Sequence, residues 1–283
     1  MILISCRKDF ANSRAFSPKN AIRNYPFLPR LDDFEELDEM NLAQQMRGKH
    51  VLLLVHGFRN PLANVASSYQ RLLKGLIDAK LMGDGGYDLV LGFTWPGFET
   101  PIGFFPAVPF ANRSAGYFRS LIELASQNAR TVDVQTHSLG ARVALQALSA
   151  GTDGFVDSLM LTAPAVDDES IEPGKPGKPG KPDEPGKEFN AALKHCRRCL
   201  VYHSEKDNTL KIGYRLGDLD RALGLKGPQH PDLIKAKCPD VIVVNCKNVV
   251  ATHGGYRSAG AYYEHWSRVL NETPLEQFET LKG

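Results

Sequence analysis

The sequence predicts an α/β fold with a mostly parallel sheet covered by helices on both faces. Short β-branched and apolar runs alternate along the 283 residues with longer runs of helical periodicity. The run His50–Val55 (HVLLLV) is continuously apolar, which is typical of a strand buried on both faces. We expect a single domain over residues 1–283, because the one linker-like stretch interrupts the alternation without changing it.

The composition excludes several classes of protein. The formal net charge of +2, from 34 basic and 32 acidic residues, predicts no nucleic acid partner and no anionic membrane partner. No apolar run approaches the roughly 18 residues of a membrane span, and the first residues lack the features of a signal peptide. We therefore expect a cytoplasmic protein without stable membrane insertion. The oligomeric state cannot be predicted.

The cysteines predict no disulfide framework, since the chain contains an odd number of them, 5. Cys196 and Cys199 have the spacing of a metal or redox pair, but no second pair of that spacing exists. They are expected to be structural or incidental. We predict no metal and no cofactor.

The elements before the central motif follow the periodicity of the chain. Residues 1–7 are expected to form an edge strand, and residues 12–31 an irregular approach to the sheet. Asp32–Met46 is a predicted helix, because its acidic residues come early and its apolar residues late. The next predicted elements are the strand His50–Val55, the helix Ala63–Leu81 and the strand Tyr87–Phe93.

The segment Phe98–Phe110 combines aromatic residues with prolines and glycines, which predicts an apolar loop rather than a helix. Such a loop is well placed to line or cover a substrate pocket; the alternative is a hydrophobic loop that only covers the sheet. Expected pocket residues are Trp95, Phe98, Phe104 and Phe105. A helix is predicted over Arg113–Gln127.

The later elements continue the alternation around one insertion. Glu172–Lys187 (EPGKPGKPGKPDEPGK) has no hydrophobic side chain to bury, which predicts a flexible or polyproline-like insertion that is too polar to form a cap domain. The other predicted elements are the strands Val156–Thr162, Cys199–His203 and Asp240–Cys246 and the helices Phe189–His195, Asn208–Leu223 and Ala259–Leu270.

The central motif is Thr131–Gly140 (TVDVQTHSLG), followed by good helix formers to Ala150. A strand, a tight turn with a serine at its centre and a helix together form the context of a nucleophile elbow. Gly140 provides the small residue that such a turn requires after the serine. Thr136 stands where a glycine is more usual.

A serine hydroxyl is a weak nucleophile and requires a base that is oriented by a carboxylate. Asp207 and His253 come after later strands, in the order serine, acid, histidine. Ser138, Asp207 and His253 are therefore the predicted catalytic residues. The backbone N–H groups of Phe58, after His56-Gly57, and of Leu139 are the predicted oxyanion donors.

Other residues compete for these roles. Asp167 and Asp168 also follow a strand and could supply the acid, while Asp207 could be a helix cap. His265 is the alternative base, although its position inside a predicted helix favours packing. His137 precedes the serine and is expected to support the turn.

These segments resemble the α/β-hydrolase superfamily. More narrowly, the chain is similar to a bacterial group of that superfamily whose function is unknown, over roughly residues 50–270. The resemblance is carried by LLLVHGFRN, FTWPGF, THSLGARVALQAL, LTAPAVDD and VYHSEKDNTLKIGYRLG. It implies an α/β-hydrolase fold and hydrolysis of esters or related acyl compounds, with a small-molecule ester as the expected substrate and Ser138, Asp207 and His253 as the triad. The polar insertion stands where many relatives carry a cap domain, so we expect no large cap domain here. Thr136 departs from the usual elbow, and the segment around His253 matches least clearly.

The leading functional prediction is a cofactor-free serine hydrolase that acts on carboxylic esters through an acyl-enzyme. Thioesterase, lipase and amidase activities remain open, since the same triad serves them all. A binding module that has kept the fold without catalysis, with the Gly-Lys-Pro insertion as a docking tether, is the alternative from another class.

Overall fold

The computed structural model describes residues 1–99, 104–151, 153–174, 185–213 and 221–283. Its centre is a 10-stranded sheet with the order β10-β9-β8-β7-β6-β4-β5-β1-β2-β3. The strands are β1 (Ile2–Arg7), β2 (Phe16–Asn24), β3 (Glu35–Leu37), β4 (His50–Val55), β5 (Leu89–Thr94), β6 (Thr131–His137), β7 (Val156–Thr162), β8 (Cys196–His203), β9 (Val241–Asn245) and β10 (Phe278–Thr280). Among these described strands, only the pairings of β2 are antiparallel, so the sheet is mostly parallel as predicted.

Helices connect most of these strands. They are α1 (Glu39–Met46), α2 (Leu62–Asp78), α3 (Phe104–Asn128), α4 (Gly140–Ser149), α5 (Asn208–Gly213), α6 (Leu223–Lys226), α7 (Pro231–Lys237) and α8 (Gly260–Leu270), with 3₁₀-helices at Asn190–His195 and Gly255–Ser258. Among the described residues, no helix combines the length and the apolar character needed to cross a bilayer.

The core lies on both sides of the central strands. Val51, Leu52, Leu53, Leu54 and Val55 of β4 are all buried, so both faces of this strand are covered. Burying each of these side chains stabilises the fold by about 1.5–3 kcal/mol before entropy is subtracted. The continuous apolar pattern of β4 is the local cause of its central position.

The N-terminal edge differs from the prediction. Strand β1 lies inside the sheet between β5 and β2 rather than at its edge. The region predicted as irregular contains β2, whose sequence FSPKNAIRN has no clean alternation and is mostly half-buried or exposed. Its pairing with β1 supplies the order that its own side chains do not predict.

Two further differences concern the ends of the sheet. The helix predicted from Asp32 begins only at Glu39, because Asp38 caps it by accepting a hydrogen bond from Asn41 N at 2.7 Å, and β3 precedes it. The strand expected to be the last is followed by β10, which pairs with β9 in parallel.

The apolar loop predicted over Phe98–Phe110 is wrong from Phe104 onwards, because that part forms the first turns of α3. The first backbone N–H groups of a helix have no acceptor within it, so Pro106 costs no hydrogen bond there. Pro109 lies deeper, but the burial of Ala107 and Ala111 in this segment favours the helix. Residues 100–103 lie outside the described residues.

The Gly-Lys-Pro insertion begins and ends at a common neck. Lys187 N donates to Glu172 O at 3.0 Å, and Phe189 N donates to Ser170 O at 2.7 Å. The predicted flexible part falls mainly on residues 175–184, which lie outside the described residues. In the parts of the connection between β7 and β8 that are described, the 3₁₀-helix Asn190–His195 is the one regular element.

Candidate active site

Ser138 lies in a tight turn between β6 and α4. Its φ angle is 57°, in the left-handed region that side chains other than glycine rarely adopt. Two backbone hydrogen bonds maintain this strained conformation. Ser138 N donates to Thr162 O at 3.0 Å, and Ser138 O accepts from Ala165 N at 3.2 Å. This geometry projects the serine beyond the carboxyl end of β6, and the side chain keeps a small exposed surface.

Close backbone approach explains the small residues around this turn. A Cβ atom on Gly140 would lie 2.5 Å from His56 O, and one on Gly57 would lie 2.8 Å from Ser138 Cβ. The loop after β4 therefore packs directly against the serine turn. Thr136 is tolerated because its side chain is fully buried and its hydroxyl donates to Met160 O of β7 at 3.3 Å.

Asp207 and His253 meet at the same edge of the sheet. His253 Nδ1 lies 2.6 Å from Asp207 Oδ2, and the Asp207 side chain is fully buried. The other carboxylate oxygen of Asp207 accepts from Leu210 N at 3.1 Å, so the residue also caps α5. The cap role that competed with the acid role in the sequence is thus present together with the contact to the imidazole.

His137 connects the serine turn to the loop that carries His253. Its Nε2–H donates to His253 O at 2.9 Å, and the two ring centroids are 4.6 Å apart. Burial, and secondarily the cation of Arg257, hold the pKa of His137 well below its usual value, so the ring is neutral. The described part of the chain contains no hydrogen bond between Ser138 and His253; bonds of this kind often tighten only when substrate binds.

The competing candidates lie in other surroundings. His265 is buried in α8, where Tyr202 Oη lies 2.9 Å from its Nδ1 and Glu279 Oε1 lies 2.9 Å from its Nε2. Asp168 forms an ion pair with Arg221 at 2.5 Å. These contacts give both residues a structural explanation that does not involve Ser138.

The loop after β4 is anchored by a buried polar network that sequence reasoning missed. Arg7, at the end of β1, is fully buried and donates to Trp95 O at 2.9 Å, to Asn60 O at 2.8 Å and to His56 Nε2 at 3.0 Å. Asn60 Nδ2 in turn donates to Gly57 O at 3.1 Å. The signal that could have revealed Arg7 is a charged residue that ends an otherwise apolar strand.

The aromatic residues predicted to line a pocket differ in position. Trp95 is fully buried, stacks on His56 with 5.4 Å between ring centroids, and donates from Nε1 to His56 O at 2.8 Å. It supports the loops from below and offers no exposed surface. Phe98 is half-buried and packs edge-on against Phe110 at 4.8 Å. Phe104 and Phe105 begin α3, and their side chains lie outside what the structure describes.

One cluster has the composition of a metal site. Ligand atoms of Glu169, Glu172 and His230 lie within 4.8 Å of one another. His230 Nδ1 is 2.8 Å from Glu172 Oε2, and Lys187 Nζ is 2.6 Å from Glu169 Oε2. Contacts with Lys187 and His230 thus already occupy carboxylate oxygens at the neck of the insertion.

The five cysteines are all free and buried. Burial raises the pKa of Cys196 to about 12 and that of Cys199 well above its usual value. Thiols in this state are poor metal ligands, because ligation requires the thiolate. A structural role for the pair stays a prediction.

Several solved structures share similarity with the chain at low sequence identity. A metagenome-derived lipolytic enzyme from a study of LipS and LipT is 14% identical, with 81% of this chain and 96% of that chain covered and a TM-score of 0.44. Est1E from Butyrivibrio proteoclasticus is 13% identical, with 91% and 93% covered and a TM-score of 0.42. A Pyrobaculum calidifontis esterase is 16% identical, with 89% and 79% covered and a TM-score of 0.42.

No curated protein sequence matches the chain. A family model does match, with the description alpha/beta hydrolase of unknown function (DUF900), over residues 34–254. That range includes the loop after β4, the serine turn and both residues of the Asp207–His253 pair. Since the match covers most of the sequence and the sheet has the corresponding mostly parallel order, the chain belongs to this family of α/β-hydrolases of unknown function.

Proposed function

We propose that the protein is a serine hydrolase that cleaves carboxylic esters through an acyl-enzyme on Ser138. The observation that carries the proposal is the 2.6 Å contact between His253 Nδ1 and the buried carboxylate of Asp207, beside a serine whose φ is 57°. A nucleophile, a base and an orienting acid from three different strand ends form the minimal apparatus of acyl transfer.

In the proposed reaction, His253 Nε2 takes the proton of Ser138 Oγ while Oγ attacks the ester carbonyl carbon. The same proton then passes to the leaving alcohol, and the acyl group remains on the serine. Water, deprotonated by His253, next attacks the acyl carbon; the bond to Ser138 Oγ then breaks, His253 returns the proton to Oγ, and the carboxylic acid is released. Asp207 keeps the hydrogen on Nδ1, so that Nε2 is free to accept the proton, and it stabilises the imidazolium.

The oxyanion of each tetrahedral intermediate requires N–H donors that are already in position. Leu139 N–H stands at the start of α4, where the helix dipole adds to the attraction for negative charge. Phe58 N–H is the second proposed donor, because Gly57 packs against Ser138. The proposed acyl site is apolar, with Phe98 at its border and Phe104 and Phe105 as further candidates.

The test combines covalent labelling with a substrate panel. A fluorophosphonate probe should label the wild-type protein and the Ser120→Ala variant, since Ser120 is exposed on α3, but not Ser138→Ala. p-Nitrophenyl esters of increasing chain length, a matched thioester and a matched anilide should reveal fastest turnover of esters. Wild-type protein that neither hydrolyses the panel nor accepts the probe would contradict the proposal.

A further inference from the structure

The positively charged guanidinium of Arg7 is fully buried at the end of β1. In the described part of the chain it forms no ion pair with a carboxylate, and its Nη1 has no hydrogen-bond partner. Burying a guanidinium without a counter-ion is costly, and burial lowers the pKa of Arg7 to about 10, which still leaves it charged at neutral pH. The hydrogen bonds that its side chain does form go to His56 and Asn60 of the loop after β4 and to Trp95 O, just after β5.

The contact with His56 fixes the tautomer of that ring. An arginine can only donate, so His56 Nε2 accepts from Arg7 at 3.0 Å, and it also accepts from Trp95 N at 3.1 Å. The single hydrogen of the neutral ring must therefore lie on Nδ1. Burial, and then the charge of Arg7, hold the pKa of His56 well below its usual value, so this state persists across the neutral range.

The hydrogen on His56 Nδ1 points at one peptide group. Nδ1 donates to Gly57 O at 2.7 Å, and the same carbonyl accepts from Asn60 Nδ2 at 3.1 Å. In a trans peptide the carbonyl and the N–H of the following residue point in opposite directions. Holding Gly57 O on one side therefore directs Phe58 N–H to the other.

The loop is closed by Arg7 itself, which also donates to Asn60 O at 2.8 Å. The guanidinium thus bonds the ring of His56 and the backbone carbonyl of Asn60, and the side chains of these two residues hold the Gly57 carbonyl. Gly57 lies against Ser138 without room for a side chain. The Gly57–Phe58 peptide therefore lies directly beside the nucleophile, and its rotation would displace a proposed oxyanion donor.

We propose that Arg7 is a positioning residue for the oxyanion donor: through His56 and Asn60 it fixes the Gly57–Phe58 peptide so that Phe58 N–H faces the reacting carbonyl. The inference rests on the proposed function. Arg7 precedes residue 34, where the match to the family begins, so family membership does not assign it this role. It touches no substrate and acts only through the loop.

The principal test replaces Arg7 and measures steady-state ester hydrolysis together with the affinity for a trifluoromethyl ketone, which forms a tetrahedral adduct on serine. Arg7→Met should lower kcat about 10- to 100-fold with KM within about twofold, because loss of a whole oxyanion donor costs about 10²–10³ in kcat. The affinity for the ketone should fall by a similar factor. Arg7→Lys, which retains one donor group but not the fork, should fall in between.

A matched control separates positioning from stability. Arg198 on β8 is part-buried and donates to Ser158 Oγ and Val269 O, both at 2.8 Å. Arg198→Met should lower the unfolding temperature and leave kcat and ketone affinity unchanged. If Arg7→Met behaves like Arg198→Met, with lower stability and normal kcat, the positioning role is wrong.

A double-mutant cycle keeps the proposal testable if Arg7→Met does not fold. Arg7→Lys, His56→Gln and the double variant are compared by kcat, and the double variant should be no slower than the slower single variant, because both act on one peptide. Fully additive losses of kcat would contradict the proposal that Arg7 acts through His56. Absence of ester hydrolysis and of probe labelling in the wild-type protein would remove the proposed function and this inference together, whereas normal kcat in the Arg7 variants would remove this inference alone.

Discussion

The two loops that flank Ser138 are held in different ways. The loop after β4 (residues 56–60) rests on buried groups: the side chains of His56 and Arg7 are almost inaccessible, and its carbonyls accept from Asn60, Trp95 and Arg7. The loop after β9, which carries His253, is held by the carboxylate of Asp207 and by the ring of His137. The side chain of His253 is 17% exposed.

This difference matches what each loop has to do in the proposed reaction. An oxyanion donor must not reorganise when charge develops, so a buried support with several hydrogen bonds is favourable. A general base must exchange protons with the serine, the leaving group and water, so it needs some exposure and some freedom. The difference between the loops leads to four testable predictions, which run from the largest expected effect to the smallest.

The strongest test removes the charge behind the base. Asp207→Asn keeps an acceptor for the cap on Leu210 N but no longer favours the Nδ1–H tautomer of His253. We expect kcat for ester hydrolysis to fall about 10⁴-fold. Asp168→Asn, which breaks the ion pair with Arg221, is the control and should change kcat by less than about threefold. If kcat falls more in Asp168→Asn than in Asp207→Asn, Asp168 is the better candidate for the acid.

The second test adds one methyl group to each loop. A Cβ on Gly57 would meet Ser138 Cβ at 2.8 Å and His137 O at 3.0 Å, so Gly57→Ala must displace the loop after β4. We expect kcat to fall about 10²–10³-fold, the effect of a lost oxyanion donor. A Cβ on Gly254 would meet only the end of the Arg257 side chain, at 3.3 Å, so Gly254→Ala should stay within about twofold. Equal effects would contradict the proposed difference between the loops.

The third test concerns acid stability on the Asp207 side of the site. His203 ends β8 just before the Asp207 loop, and burial lowers its pKa to about 4. The unfolded chain, with a histidine pKa of about 6.5, binds the proton first as the pH falls. The contribution of neutral His203 to the free energy of unfolding is therefore fully present above about pH 6.5. It decreases by roughly 3 kcal/mol as the pH falls to about 4.

Urea denaturation at pH 7.5 and 4.5 measures this decrease. His203→Gln should lose less stability than the wild-type protein between the two pH values, since glutamine does not titrate. If His203→Gln loses as much stability between the two pH values as the wild-type protein does, titration of His203 does not cause the loss of stability in acid.

The smallest effect is expected from the bond between the two rings. His137→Phe removes the hydrogen bond to His253 O, which measures 2.9 Å, while His137→Gln can retain a donor. A bond of this kind contributes about 1 kcal/mol, so kcat should fall about fivefold to tenfold in His137→Phe and less in His137→Gln. Equal activity of the two variants would indicate that packing of the ring, not its bond, supports the loop.

Much of the fold could be predicted from local patterns. The strands His50–Val55 and Val156–Thr162 have the bounds expected from their apolar sequences, because burial on both faces leaves a continuous signal. Strand β2 could not be predicted, since its polar sequence acquires order only by pairing with β1. The start of α3 was obscured by Pro106 and Pro109, whose cost depends on their place within the helix.

By itself, the sequence determined which residues could carry the proposed chemistry. Ser138, Asp207 and His253 each stand near the end of a predicted strand, and the ends of parallel strands meet at one edge of a sheet. The contact between Asp207 and His253 and the serine at positive φ are consistent with that order, and the catalytic roles stay predictions.

Only the tertiary structure decided what supports these residues. Arg7 and His56 are 49 positions apart in the chain, and Gly57 and Ser138 are brought together by the pairing of β4 with β6. Such contacts leave no periodic signal, because they join single residues from distant segments. The tautomer of His56 and the place of Trp95 beneath the loops depend on that packing, which no local pattern specifies.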